Sequence, residues 1–197
     1  MYKVVTISRQ YGAGGGTIGH YLEDRLCMEY LDKAIILRAA NEAQVSVESA
    51  VKMDENVPFN FGFAQSLFDF YNKPLNEKLF AAQTQVIKKF GEKGNCIIVG
   101  RNANTILKEY DNSLHIFLCA DLEFRVKRMM EKEMYKGFSH QKMIDLINTV
   151  DKRRAKYCDY YTNTKFGDAK NYDLCLDTSK FGIHKCVDII ADIVMSK

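Results

Sequence analysis

The sequence contains no long hydrophobic run, no basic N-terminal segment that leads into an apolar stretch, and no closely spaced pair of cysteines. A transmembrane helix needs about 20 apolar residues, so the first absence excludes a membrane-spanning helix. The second absence argues against a signal peptide. Six cysteines are present without a CxxC spacing, and apolar neighbours predict that most of them are buried thiols in a reducing compartment. We therefore expect a cytoplasmic protein with no membrane partner.

The chain also lacks a large excess of either charge, because 28 basic residues are balanced by 25 acidic residues and the net charge is only +3. Nothing in this balance requires nucleic acid as a partner, so a basic site must arise from local clustering. The four histidines lie far apart and show no spacing typical of ligands, which argues against a metal site built by side chains. Either a monomer or a homodimer is compatible with the sequence.

What the sequence does contain is an alternation of short apolar strands with helices. Apolar runs predict strands at residues 3–8, 95–99, 115–119 and 172–176, with a brief apolar stretch at residues 30–31. Helical spacing covers the segments between them: residues 16–28, from Asp32 onward, about 75–91, 121–136, from Ser139 to about 157, and from about 182. Asp32 and Ser139 are the expected N-caps. This alternation predicts one α/β domain with a parallel sheet covered on both faces.

Residues 52–74 break the alternation. They hold both prolines of the chain together with a run of aromatic side chains. Linkers are seldom so aromatic, and we therefore predict a compact insertion over the core at this place.

A glycine-rich segment joins the first predicted strand to the first predicted helix. Small side chains let backbone N–H groups approach an anion, and the N-terminus of the helix adds a partial positive charge. The sequence therefore predicts a phosphate-binding loop that consists of Gly12, Ala13, Gly14, Gly15, Gly16 and Thr17.

Two phosphate-binding patterns compete for this loop. Gly14, Gly16 and Gly19 match the GxGxxG of dinucleotide-binding units, with Asp32 further along the chain. The alternative is the P-loop, GxxxxGK followed by Ser or Thr, in which Gly14 and Thr17 fit. Gly15 then stands where the lysine belongs, and Arg9 stands where the first glycine belongs. The loop by itself leaves both patterns open.

Arginines recur at the ends of the predicted elements. Arg101 directly follows the strand that ends before Gly100, so its side chain is expected at the ligand crevice beyond the carboxyl ends of the strands. Guanidinium groups suit phosphates because they donate two parallel hydrogen bonds. The other arginines of this kind are Arg38, Arg125, Arg128, Arg153 and Arg154. So many cations around one crevice favour transfer between two phosphate-bearing substrates over hydride transfer.

Taken in order, these segments resemble the cytidylate kinase-like family of P-loop nucleoside monophosphate kinases. Residues 8–15 resemble the variant loop of that family, residues 30–38 its LDxxAxYR segment, and residues 99–101 its GRD element. Residues 136–139 and 151–154 fall where its lid and its following arginine motif lie, and residues 171–179 resemble its last strand and IDTS turn. The resemblance runs through nearly the whole chain and rests on order and spacing.

The resemblance implies a three-layer P-loop NTPase fold with a five-stranded parallel sheet, a small acceptor-binding insert at about residues 52–74 and a helical lid at about residues 121–169. The core would comprise residues 1–51, 75–120 and 170–197. The implied activity is phosphoryl transfer from ATP, with Mg²⁺ bound through the phosphates of the nucleotide, to a nucleoside monophosphate or a related small acceptor, cytidylate favoured.

The resemblance also implies roles for individual residues. Backbone amides of residues 12–17 would hold the donor phosphates. Asp32, Arg38 and Arg101 would bind the acceptor. Arg125, Arg128, Arg153 and Arg154 would act on the transferring phosphates from the side of the lid.

Two positions depart from the family pattern. Gly15 cannot supply the charge of the missing lysine, and Arg9, just before the loop, is the candidate replacement. The alternative for Arg9 is a salt bridge that only fixes the loop. Asn102 replaces the acidic residue that follows Arg101 in the family, which leaves the base preference open. A nucleotide-binding sensor that keeps the kinase fold without its chemistry is the alternative function.

Overall fold

A sheet of five parallel strands forms the centre of the computed structural model, which describes residues 2–42, 44, 46 and 63–196. The strands are β1 (Val4–Arg9), β2 (Glu29–Leu31), β3 (Cys96–Val99), β4 (Ser113–Cys119) and β5 (Leu174–Asp177). The helices are α1 (Gly15–Leu26), α2 (Lys33–Glu42), α3 (Phe63–Lys93), α4 (Ala103–Ile106), α5 (Leu122–Met130), α6 (His140–Thr162), α7 (Thr178–Phe181) and α8 (Ile183–Ser196). Two short 3₁₀ turns lie at Glu133–Tyr135 and Ala169–Asn171.

The strand order is β2-β3-β1-β4-β5, so β1 lies in the middle of the sheet. It pairs in parallel with β3 on one side and with β4 on the other. Because the strands are parallel, the carboxyl ends of β1 and β3 lie side by side at one edge of the sheet, which is where α/β proteins bind ligands.

Alternate residues of β1, β2 and β3 enter two separate cores, and this produces three layers. Val5 and Ile7 of β1 pack against α1 and α8, whereas Val4 packs in the cluster formed with α2, α3 and α4. The central strands β1 and β3 are therefore buried on both faces, as their continuous apolar sequences predict. The predicted α/β architecture with helices on both faces of a five-stranded parallel sheet is confirmed.

Several boundaries differ from the prediction. The predicted helix at 75–91 is too short, because α3 begins at Phe63 and continues past Pro74. A proline removes one backbone donor, which a long helix can absorb. Residues 63–74 of the predicted insertion are thus the beginning of α3, and the rest of that insertion lies outside the described residues.

The predicted helix at 121–136 ends earlier, at Met130, and a 3₁₀ turn follows it. The predicted N-cap at Ser139 is confirmed, since its hydroxyl accepts a hydrogen bond from the backbone N–H of Lys142 at 3.2 Å. The helix that it caps, α6, extends to Thr162 rather than to about 157.

The prediction that most cysteines are buried is wrong. Cys96, Cys158 and Cys186 are buried, but Cys27 and Cys175 are exposed and Cys119 is half-buried. Apolar neighbours in sequence were a poor guide for Cys175, because alternate residues of β5 point to different surroundings. In the described ranges no helix is long and apolar enough to cross a membrane.

Candidate active site

The glycine-rich loop forms the floor of a crevice of about 280 Å³ at the carboxyl edge of the sheet. The chain leaves β1 at Arg9 and turns through Gly12 and Gly14, whose φ angles are 84° and 93°. Only glycine adopts this left-handed conformation readily, so both positions require it. The turn delivers the N-terminus of α1, at Gly15, to the crevice, where its free N–H groups favour an anion.

A buried ion pair holds the loop from behind. Arg125 of α5 donates to Asp151 of α6 at 2.6 Å and to the carbonyl oxygen of Tyr11 at 3.3 Å. The second carboxylate oxygen of Asp151 accepts from the backbone N–H of Tyr11 at 2.7 Å. Both polar groups of the Tyr11 backbone are therefore fixed by one ion pair. Arg125 does not line the crevice, and it supports the loop through these hydrogen bonds.

Residues that follow β4 and β5 support the loop from the other side. The buried hydroxyl of Thr178, the first residue of α7, donates to the carbonyl oxygen of Ala13 at 2.9 Å. Gln10 accepts a hydrogen bond from the backbone N–H of Ala120 through its side chain at 3.1 Å. Ala13 itself is buried and does not line the crevice. The loop is thus anchored on both sides before any ligand binds.

Cationic side chains from two helices cover the loop. Arg128 of α5 donates to the hydroxyl of Thr17 at 2.6 Å. Arg154 of α6 donates to the carbonyl oxygen of Arg9 at 2.9 Å, and its guanidinium carbon lies 5.5 Å from the centre of the Tyr11 ring. Arg9, Arg128, Arg154 and Lys132 all line the crevice. Of these four, Lys132 was not predicted, because a lysine in a polar segment has no distinguishing signal.

A second, narrower crevice adjoins the first. Its lining includes Arg9 and Arg154, which also line the first crevice, and then Ser8, Gly100, Arg101, Asn102, Tyr157, Phe166 and Tyr172. The aromatic members come from α6 and from the segment before β5, more than 50 positions from Arg101 along the chain. No local pattern marks Phe166 and Tyr172 as site residues, since only the folded chain brings them to the end of β3.

Arg101 is held rigidly at the wall of this second crevice. Its side chain is only 3% exposed and donates to Asp32 at 2.6 Å. The same nitrogen donates to the carbonyl oxygen of Val99 at 2.9 Å. Asp32, expected as the N-cap of α2, therefore has a carboxylate engaged by Arg101, and it lines the first crevice. The structure brings these two predicted acceptor-binding residues together.

The backbone beside Arg101 is strained. Gly100, Arg101 and Asn102 have φ angles of 83°, 56° and 55°, so three consecutive residues are left-handed. For residues other than glycine this conformation costs about 1–2 kcal/mol each, and such strain is typical of functional sites. Asn102 is buried, and in the described part of the chain its side-chain nitrogen has no hydrogen-bond partner.

Tyr11 at the first crevice and Tyr30, whose hydroxyl donates to Asp32 at 3.5 Å, keep their protons at neutral pH. Burial and the neighbouring carboxylate of Asp32 raise the pKa of Tyr30 to about 12. Burial, with a short hydrogen bond to the hydroxyl of Tyr135, raises the pKa of Tyr11. Both hydroxyls therefore act as neutral hydrogen-bonding groups rather than as bases.

Two predicted site residues lie elsewhere. Arg38 is exposed, 4.5 Å from the centre of the Phe90 ring and 3.6 Å from Glu29, the first residue of β2. It is therefore at the amino end of that strand, because α2 runs back along the sheet. Arg153 is exposed on α6 and does not line either crevice. The helical period turns it away from the direction of its neighbour Arg154.

The first crevice offers few ligands for a metal ion. Among the described residues no group of three or more His, Cys, Asp or Glu side chains could hold one. Thr17 and Asp32 supply oxygen atoms at this crevice. This donor set suits a Mg²⁺ ion that keeps most of its ligands from phosphates and water.

The sheet order and the anchored glycine loop define the class of protein, an α/β protein with the P-loop kinase fold. Solved structures with this fold are similar to the chain. An uncharacterized protein from Eubacterium ventriosum has a TM-score of 0.75 at 22% identity, covering 98% of this chain and 99% of that one. A shikimate kinase from Bacteroides thetaiotaomicron has a TM-score of 0.57 at 12% identity, covering 99% of both chains.

More particularly, the chain belongs to the cytidylate kinase-like family, whose model matches residues 4–180. It is similar to the cytidylate kinase of Methanosarcina barkeri, with 26% identity over 94% of this chain and 93% of that protein. The cytidylate kinase of Methanocaldococcus jannaschii is 25% identical over 97% of both chains. The family and fold predictions are confirmed.

The fold also decides between the two loop patterns. The P-loop fold disfavours the dinucleotide-binding pattern that Gly14, Gly16 and Gly19 suggested. Gly19 has a different explanation, because a Cβ atom at this position would lie 2.5 Å from the ring of Tyr30. This glycine allows α1 to pack closely on β2.

Proposed function

We propose that the protein transfers the γ-phosphoryl group of ATP to a small phosphorylated acceptor. The observation that carries this proposal is the pair of adjoining crevices, which share Arg9 and Arg154. A phosphoryl group that passes from one bound phosphate to another must cross such a boundary. Two cations at the boundary would stabilise the charge on the transferring oxygens, which is the main catalytic requirement of this reaction.

The first crevice would bind the donor. Backbone N–H groups of residues 12–17 would hold its β-phosphate at the N-terminus of α1. Arg128 would bind a terminal phosphate, because its guanidinium lies on the Thr17 hydroxyl above the loop. Mg²⁺ would be held through the donor phosphates with Thr17 as the protein ligand, and it would neutralise phosphate charge there.

The second crevice would bind the acceptor. Asp32 would hold the Arg101 side chain in the orientation in which it contacts the acceptor. The aromatic side chains of Tyr157, Phe166 and Tyr172 would contact the apolar part of the acceptor. A phosphate acceptor is already anionic, so no strong base is required. The neutral tyrosines of the site agree with this chemistry.

The favoured acceptor is a nucleoside monophosphate, with cytidylate first. Membership of the cytidylate kinase-like family supports a nucleotide kinase, and the similar archaeal proteins are named cytidylate kinases. The donor nitrogen of Asn102 at the second crevice is the feature that could shift the base preference within this class. The segment that carries α5 and α6 would close over both substrates as a lid and exclude water.

An ADP-release assay tests this proposal. The wild-type protein, with ATP and Mg²⁺, is offered CMP, dCMP, UMP, AMP, GMP and a set of small hydroxylated metabolites. We expect turnover with a nucleoside monophosphate, CMP best. Arg154→Ala should abolish most of it, whereas Arg25→Ala, which removes an exposed guanidinium at the far end of α1, should not. Saturable ATP binding without turnover on any acceptor would instead establish the sensor alternative.

A further inference from the structure

The side chain of Arg9 lies directly on Gly15, the position of the missing lysine. A Cβ atom added to Gly15 would lie 2.8 Å from Cγ of Arg9, 3.2 Å from its Cβ and 3.4 Å from its Cδ. Contacts below about 3 Å force one partner to move. Any side chain at position 15 therefore competes with the aliphatic part of Arg9 for the same space.

Backbone conformation does not explain why position 15 is glycine. In the loop, positive φ angles occur only at Gly12 and Gly14, and Gly15 is the first residue of a regular helix. Glycine is unfavourable in a helix relative to alanine, by roughly 1 kcal/mol. The contact with Arg9 is the feature of the structure that requires it.

The next residue shows that the requirement is specific. Gly16 is also in the first turn of α1, and a Cβ atom there would meet only the hydroxyl of Tyr30, at 3.6 Å, an ordinary contact. Of these two adjacent glycines, Gly15 but not Gly16 lies against the Arg9 side chain.

Arg9 is fixed where it can serve both crevices. Its Cα is paired with Leu118 of β4, and its carbonyl oxygen accepts from Arg154 at 2.9 Å. Arg9 lines both crevices, and the aliphatic part of its side chain lies against Gly15 at the start of α1.

We infer that Arg9 and Gly15 are a mutually dependent pair that replaces the P-loop lysine. The cation of the loop comes from the end of β1, and Gly15 leaves the space through which its side chain passes. The Arg9 guanidinium binds the β- and γ-phosphates of the donor. This inference rests on the proposed phosphoryl transfer, but it concerns two residues whose coupling can be measured separately.

A double-mutant cycle tests the pair with ATP and the best acceptor. Arg9→Met keeps most of the aliphatic stem and removes the charge, and it should lower kcat about 10²–10³-fold, as the loss of one preorganised charge does. Gly15→Ala should lower kcat about 10-fold more than Gly16→Ala, because displacing a catalytic group by about 1 Å can cost up to 100-fold. In an Arg9→Ala background this difference between the two alanine variants should disappear.

Transplanting the lysine separates a role at the phosphates from a role in fixing the loop. Gly15→Lys should raise kcat in the Arg9→Ala background, where the space is open, and should not raise it in the wild-type background. A salt bridge that only fixes the loop would not be restored by a lysine at position 15. Thermal unfolding of each variant shows that it is folded, and ATP affinity by calorimetry provides a readout without the acceptor.

Three results would overturn the inference: undiminished turnover of Arg9→Met, equal penalties for Gly15→Ala with and without the Arg9 side chain, or no gain from Gly15→Lys in the Arg9→Ala background. Wild-type protein that neither binds ATP nor turns over any acceptor would overturn the proposed function, and the inference with it. Active wild-type protein with an additive cycle would overturn the inference alone.

Discussion

Two buried ion pairs of the same geometry lie on either side of the glycine loop. Arg101 and Asp32 are 2.6 Å apart, as are Arg125 and Asp151, and the two arginine side chains are only 3% and 8% exposed. The first pair borders both crevices, whereas the second lies behind the loop and binds the backbone of Tyr11. One pair therefore fixes a side chain at the wall of the crevices, and the other fixes the backbone of the loop.

The difference teaches that burial and pairing do not by themselves identify a catalytic arginine. The cost of removing two charges from water nearly cancels their attraction, so a buried pair contributes little net stability. Its value is the position it imposes on the groups around it. Removing one partner, however, leaves an isolated buried charge, and that makes the two pairs distinguishable by experiment.

The largest effect is expected at the pair behind the loop. Asp151→Ala leaves the Arg125 charge buried without its carboxylate and removes the acceptor for the Tyr11 N–H. We expect the free energy of unfolding in urea to fall by about 3–5 kcal/mol. Glu133→Ala, which breaks an exposed pair with Lys136, is the control and should change little. Equal effects of the two variants would contradict the assignment of Asp151 as a buried support.

The pair of Arg101 and Asp32 should show the opposite pattern, with a smaller loss of stability and a larger loss of activity. Asp32→Asn keeps a side-chain oxygen that can accept from Arg101, so it should destabilise the protein less than Asp151→Ala, which removes the acceptor altogether. Because the charge that orients Arg101 is lost, we expect kcat/KM for the acceptor to fall about 100-fold, the scale on which small misplacements act. ATP affinity should change much less. The comparison fails if stability falls as far as for Asp151→Ala while kcat/KM for the acceptor is retained.

His115 is a third buried ionisable group, and its imidazole is buried in the neutral form instead of in an ion pair. Its two ring nitrogens contact the hydroxyls of Thr6 at 2.8 Å and Ser113 at 3.0 Å, and burial lowers its pKa. The unfolded chain therefore binds a proton more readily, and stability should fall as the pH falls below about 6.5, by at most about 1.4 kcal/mol per pH unit. Urea unfolding between pH 5 and pH 8 measures this slope.

The pH effect has a specific control. His115→Gln should remove this contribution to the slope, whereas the same change at the exposed His184 should leave it in place. A slope that persists in His115→Gln would assign the pH dependence to other groups.

The smallest effect is expected at the cap of α6, the helix that carries both Asp151 and Arg154. Ser139→Ala removes the hydroxyl that accepts from the N–H of Lys142, and should cost about 1 kcal/mol. Ser196→Ala, at the exposed C-terminal end of α8, is the matched control and should cost less. The cap acts on the first turn of α6, and Arg154 lies several turns further along the helix. Ser139→Ala should therefore lower the stability and leave the rate of phosphoryl transfer unchanged.

Local sequence predicted the framework well, for reasons visible in particular elements. Residues 116–118 of β4 are apolar and all buried, so they are readily recognised as part of a strand. Ser139 lies directly before a helical period, and the serine cap followed from that position. The prediction was weaker at the beginning of α3, where a proline and aromatic residues suggested a break, and at Cys175, whose exposure depends on how β5 lies at the edge of the sheet.

The candidate site could be predicted in part. The glycine-rich loop, Arg101 and Asp32 follow directly from strand ends and a helix start, and all of them except the buried Ala13 line the crevices. Arg38 lies six positions after Asp32, and the direction of α2 carries it to the opposite end of β2. Arg125 was recognisable as an arginine near the lid, but its burial against Asp151 depends on the packing of α5 on α6.

The sequence alone determined that a glycine-rich loop follows a buried strand, that the sheet is parallel, and that a lysine is missing from the loop. Periodicity and local backbone preferences act over a few residues, so they are legible in the chain. Only the tertiary structure decided which arginines face the loop and which support it. It also decided that the stem of Arg9 occupies the space beside Gly15, because that contact joins a strand end to a helix start across a turn.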